Sequence, residues 1–189
     1  MTGTPAAMVA GKVNKDEATD LYVLGQGYEN GRTSQAAWFV RGGSTIKRGK
    51  YTAYHATQAD YGATGVIADF GENGHGDLAV SDTPYDKGAG SVLVLRGGAS
   101  GPSTCYRLCQ SAYGVATAAT GNDRFGHALS AGDTHHDGSS GCGTSTGTAT
   151  PTCWSRVTSP RTGLLLHGSA KGVTTSGASK SDLDPAFPQ

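Results

Sequence analysis

The residues best suited to chemistry lie in one short bend, Asp69-Phe70-Gly71-Glu72-Asn73-Gly74-His75-Gly76-Asp77. Oxygen-bearing side chains stand at its positions 1, 5 and 9, and position 6 is glycine. Alternate residues of a tight loop point to one side, so Asp69, Asn73 and Asp77 converge on one centre. Gly74 allows the positive φ that folds the two halves together. Converging carboxylates repel unless a cation sits between them. Hard oxygen donors on a flexible loop predict calcium, with the backbone carbonyl of His75 as a further ligand. Gly71 at position 3 has no side chain, so water has to stand in there. The competing reading of the same residues is an Asx-type turn that satisfies its own backbone.

Two related bends occur elsewhere. Asp133-Thr134-His135-His136-Asp137-Gly138-Ser139-Ser140-Gly141 keeps acids at positions 1 and 5 and ends on glycine. Its candidate metal ligands are Asp133, His135 and Asp137. The other bend begins at Lys12 and continues through Asn14, Asp16 and Asp20. There a lysine ammonium can take the place of the cation.

The bends belong to a repeat. An offset of 57 residues lays Val9 on Val66, Val13 on Phe70, Asp20 on Asp77 and Val23 on Val80 without a gap. An offset of 64 lays Tyr61-Gly62 on Phe125-Gly126 and Asp69 on Asp133. Val40-Arg41-Gly42-Gly43 recurs as Leu95-Arg96-Gly97-Gly98 and, more loosely, as Leu166-His167-Gly168-Ser169. A unit of roughly 55 to 70 residues therefore occurs nearly three times, and such a repeat fixes the architecture. In the middle unit, residues 61–68 read as a short apolar run, 69–77 as a loop, 78–81 as a strand and 87–90 as a turn. Residues 91–95 are apolar enough to be a strand buried on both faces. Four short antiparallel strands cannot bury two faces alone, so the units must stack.

Composition points the same way. Gly is 30 of 189 residues, well above ordinary usage. Leu, Val, Phe and Ile together make 28 residues, a lean supply for a core. No long segment carries a helical apolar period. The expectation is an all-β chain of short strands and glycine-rich turns. The 15 basic residues cancel the 15 acidic ones, and no basic run occurs. That balance argues against a nucleic-acid partner, which needs a positive footprint. No apolar run approaches the roughly 20 residues of a membrane span. The first residues lack the basic and apolar regions of a signal peptide. Cys105, Cys109, Cys142 and Cys153 leave disulfides and free thiols both open. The wide gap between the last two does not suit zinc.

The run D-F-G-E-N-G-H-G-D-L-A-V-S-D-T-P-Y-D-K-G-A-G-S-V-L-V-L-R-G-G resembles the FG-GAP repeat of integrin α-like β-propellers and of bacterial secreted proteins. Phe125-Gly126 matches the repeat's opening Phe-Gly, and Tyr61-Gly62 matches it with an aromatic swap. Asp69, Asn73 and Asp77 match its calcium loop, from which Gly71 departs. The resemblance implies a partial β-propeller of about two to three four-stranded blades. Its expected division is a degenerate first blade over 1–57, short at its start, the best-formed blade over 58–120 and a third over 121–178. A disordered tail over 179–189 completes the chain. Residues 139–162 lack Leu, Ile, Phe and Met where a strand belongs, which predicts a poorly ordered stretch, read in a shifted frame or degenerate.

The function implied is a non-enzymatic, extracellular or cell-surface module for binding or adhesion, with weak structural calcium. Its partner would be an extracellular protein or carbohydrate, with further propeller blades completing the ring. The alternative is the appended propeller of a secreted hydrolase, a phospholipase or peptidase, whose catalytic part is not in this chain. No catalytic constellation is visible in the sequence. Gly143-Thr144-Ser145-Thr146-Gly147 fits a nucleophile elbow in letters but lacks the flanking strand and helix that such an elbow needs.

Overall fold

The computed structural model describes residues 2–55, 64–103, 105–112, 119–133, 151–157, 162–169 and 173–182. Within them the chain is all-β, as its composition implies. Sheet I consists of β1 (Thr2–Gly11), β2 (Asp20–Glu29), β3 (Arg32–Arg41) and β4 (Lys47–His55). Sheet II consists of β5 (Gly65–Ala68), β6 (Asp77–Asp82), β7 (Ser91–Leu95) and β8 (Cys105–Cys109). Sheet III consists of β9 (Leu129–Asp133), β10 (Pro151–Val157), β11 (Thr162–His167) and β12 (Thr174–Asp182). Each is an antiparallel meander in which strands pair in chain order.

Local sequence explains the turns. Asn30 and Gly31 both have positive φ, 52° and 77°. They form a two-residue connection between Glu29 and Arg32, the backbone that best matches the twist of two hairpin strands. Pro5 sits where the β1–β2 register slips, so its missing N–H costs the ladder nothing. The connection from β6 to β7 contains a helical turn at Tyr85–Gly88, in which Asp86 and Lys87 have positive φ.

Several boundaries differ from expectation. Sheet I has four strands of nine or ten residues. β1 has no aromatic-glycine opening, yet its small residues pair with β2 from end to end. β10 falls inside the stretch expected to be disordered, and it pairs with β9 on one side and β11 on the other. Its Thr, Cys, Trp and Val favour a pleated surface, so a strand forms without Leu or Ile. β12 likewise takes up the start of the supposed tail, as far as Asp182. Residues 139–150, 158–161 and 183–189 lie outside the described residues.

The sheets stack face to face, and two cores fill the spaces between them. Tyr22, Leu24, Ala37 and Phe39 of sheet I meet Leu78, Val80, Leu93 and Leu95 of sheet II. Ala79, Val92, Val94 and Leu108 of sheet II meet Leu164 and Leu166 of sheet III. Sheet II is therefore covered on both faces, which is why β6 and β7 are buried at every position. The inner ring pair Tyr22–Phe39, with centroids 5.3 Å apart, fills the first interface. Truncating Leu78 to alanine, at zero exposure, should cost about 2–5 kcal/mol. Ile46→Ala, at 75% exposure, should change stability by less than about 0.5 kcal/mol. Urea unfolding of the two variants checks the difference.

Candidate functional site

The Asp69 bend occupies residues 69–76, between β5 and β6, and its oxygens first serve its own backbone. Asp69 Oδ1 accepts the N–H of Asn73 at 3.0 Å, and Oδ2 accepts that of Gly74 at 2.6 Å. Asn73 Oδ1 accepts the N–H of His75 at 2.9 Å. Gly74 has the positive φ that the sequence demanded of it, 80°. Phe70, at zero exposure, inserts into the core between sheets II and III and anchors the bend.

Asp77 does something different. It begins β6, and its Oδ1 accepts the N–H of Gly97 at 2.9 Å, the second residue after β7. A methyl group on Gly97 would stand 2.3 Å from the Gly76 carbonyl oxygen, so the chain passes too close for any side chain. Sheet I repeats the arrangement. Asp20 begins β2, and its Oδ1 accepts the N–H of Gly42 at 2.9 Å. A methyl on Gly42 would stand 1.9 Å from the Thr19 carbonyl oxygen. Above this clamp, Asp16 Oδ1 accepts the Ala18 N–H at 3.1 Å, as Asn73 accepts that of His75. Val13, at zero exposure, is the anchor corresponding to Phe70.

Asp69, Asn73, His75 and Asp77 thus lie on one bend, and the first three are only half-buried. Among the described residues, no three His, Cys, Asp or Glu side chains gather closely enough to hold a metal ion. One observation suits a cation nonetheless: Asp77 is fully buried, and its Oδ2 has no hydrogen-bond partner. Two protein cations already flank the bend. A methyl on Gly74 would lie 3.2 Å from Lys15 Nζ, and one on Gly71 would lie 2.6 Å from Arg96 Nη2. The expected role of the Lys12 ammonium is corrected here. Lys12 pairs with Glu17 at 3.3 Å on the surface, and Lys15 reaches the neighbouring bend instead.

The third bend departs further. Asp133 is the last residue of β9, and β10 begins only at Pro151. The connection is residues 134–150, longer than the eight residues of 12–19 and 69–76. His135 and Asp137 lie outside the described residues. In the register of sheet III, Thr152 takes the place of Asp20 and Asp77, so no acid stands at the clamp position.

A second polar cluster, not anticipated from sequence, sits at the other end of β6. Arg107 of β8 donates to Asp82 and Ser91, and to the carbonyl oxygen of Tyr54 in sheet I at 2.9 Å. Its guanidinium lies 4.3 Å from the Tyr85 ring centroid. Five residues spread over the chain carry no spacing signal that would have found them. Cys105 and Cys109, at the two ends of β8, are free thiols. An open groove of about 250 Å³ beside the first bend is bordered by Asp16, Arg41 and Lys47. Arg41 is already committed to Asp16 at 3.0 Å, which holds the Asp16 carboxyl below its usual value.

No protein-family model matches the chain, and no curated protein is significantly similar to it. No helix among the described residues is long and apolar enough to cross a membrane.

Burial pushes the Asp77 carboxyl up from its ordinary value, against the Gly97 N–H and the Arg96 charge. The Tyr22 hydroxyl is also pushed up, first by burial and then by Asp20 and Asp77. A folded-state pKa above the ordinary Asp value of about 3.9 means that the folded chain holds this proton longer than the unfolded one. Its contribution to stability is therefore present at low pH and lost as pH rises through that window. Asp77→Asn keeps an acceptor for Gly97 and removes the buried charge. In calcium-free urea titrations from pH 4 to 7, the variant should lack the fall in stability that Asp77 gives the parent. Gly97→Ala should cost about 1–3 kcal/mol by overpacking, at every pH.

Proposed function

We propose that the chain is a non-enzymatic, propeller-type β-repeat module of the FG-GAP kind, acting outside the cell in binding or adhesion. The observation that supports this best is the acid–glycine bond that recurs at the start of β2 and of β6. A repeated device of this kind stiffens successive loops at one end of a stack of sheets, and loops held on a rigid scaffold are where binding residues usually lie. The groove beside Asp16 is smaller and more open than a typical small-molecule cavity. It suits the surface of an extracellular protein or carbohydrate better than a small substrate.

Calcium in this reading is structural. Asp69, Asn73, Asp77 and the His75 carbonyl would hold it, with Asp77 Oδ2 as the oxygen that still lacks a partner. Its affinity would lie in the roughly millimolar class of extracellular modules. A tenfold excess over Kd stabilises the folded state by about 1.4 kcal/mol. For a chain of this size that raises Tm by about 3–5 °C. Thermal unfolding with and without 10 mM calcium tests it: the parent should shift, and Asp69→Asn should not. An unchanged parent Tm removes calcium from the proposal.

A further inference from the structure

The three sheets stack with one polarity. Leu78, Val80, Leu93 and Leu95 of sheet II face sheet I, and Leu164 and Leu166 of sheet III face sheet II. The residues that correspond to the sheet II set by the repeat are Leu21, Val23, Trp38 and Val40 of sheet I. Their neighbours Tyr22, Leu24, Ala37 and Phe39 all point to sheet II, so these four point the other way. Cross-strand pairing places Met8, Val23, Trp38 and Tyr51 in one row on that face. Met8 is 72% exposed, and Trp38 lies 5.5 Å from Tyr51, centroid to centroid. Sheet I therefore presents to solvent the same face that a preceding sheet covers on sheets II and III. At the far end, sheet III presents the opposite kind of face. Leu165 points away from Leu164 and Leu166, and its cross-strand partner is Trp154.

We propose that the outer face of sheet I is the docking surface for the outer face of sheet III in a second copy of this chain, so that two copies close head to tail. The inference rests on the repeat described above. Three features favour a second copy. The two end faces are complementary by the repeat's own polarity. The chain carries no net charge, so two copies do not repel. The sheets approach most closely at their first strands, β1, β5 and β9, so the stack curves. A head-to-tail contact closes into a ring when its rotation returns on itself, and two copies would supply six sheets, within the range of known radial β-repeats.

Sedimentation equilibrium of the full chain from 1 to 100 μM tests this, alongside hydrogen exchange of the same samples. The expected mass is twice the 19.2 kDa of one chain. Met8→Glu, at an exposed position, should dissociate it, and Leu165→Glu should do the same from the other end. An equimolar mixture of the two variants should recover association, because one intact face of each kind remains. A monomer at 100 μM overturns the proposal, as does association that either variant leaves unchanged. Association surviving only Leu165→Glu would mean that two sheet I faces meet instead. Slow exchange in β6, β7 and β11 of a monomeric sample would leave the stacked repeat standing. Fast exchange there would sink the repeat itself.

Discussion

The carboxylate of the first residue of a second strand, bonded to the glycine N–H beyond the third, is the constraint on which sheets I and II depend. Asp20 with Gly42 and Asp77 with Gly97 make the same bond at the same length. The bond fixes where the loop ends and where the third strand ends. It also requires a backbone with no Cβ, since both glycines lie against a carbonyl oxygen. A buried acid that accepts only one hydrogen bond is costly, and at Asp77 part of that cost remains in the unpartnered Oδ2. The fold keeps the acid because nothing apolar could hold the glycine N–H.

This constraint matters more here than in a protein with an ample core. Large aliphatic residues are scarce, and each interface between sheets is made by a few of them. Close backbone approach takes over some of their role. Gly76 donates its N–H to the Lys12 carbonyl at 2.8 Å, so neighbouring bends are tied directly. Ser169, just beyond β11, donates to the Phe70 carbonyl at 3.1 Å and ties sheet III to the bend of sheet II. The abundance of glycine is thus a packing solution as well as a source of turns.

How much of this was legible in the sequence follows from how local each signal was. β6 and β7 were legible because burial on both faces leaves an uninterrupted apolar run. The offset of 57 residues pointed to the clamp acids, because Asp20 and Asp77 repeat with their flanks. The glycines were visible as landmarks, but their bond to the acids spans 20 or more residues and leaves no local trace. β1 and β10 are made by pairing rather than by hydrophobicity, so their composition does not announce them. The Arg107 cluster joins β8, β6, β7 and a carbonyl of β4, so only the folded chain brings it together. Lys15, and not Lys12, reaches the neighbouring bend; the sequence shows which unit a lysine belongs to and not which bend it meets.

The two ends of the stack are chemically unlike, and this bears on where a partner could engage. At one end, acids, small residues and backbone N–H groups form adjoining bends, tied by the Gly76 N–H to the Lys12 carbonyl. At the other end, Arg107 is held by an acid, a hydroxyl, a carbonyl and an aromatic ring. A charged group held in this way is a fastener between sheets I and II. The bends keep half-exposed oxygens on Asp69 and Asn73 and the cations Lys15 and Arg96 beside them. In the proposed binding role a partner would therefore engage the bend end, while Arg107 ties sheet II to sheet I through the Tyr54 carbonyl.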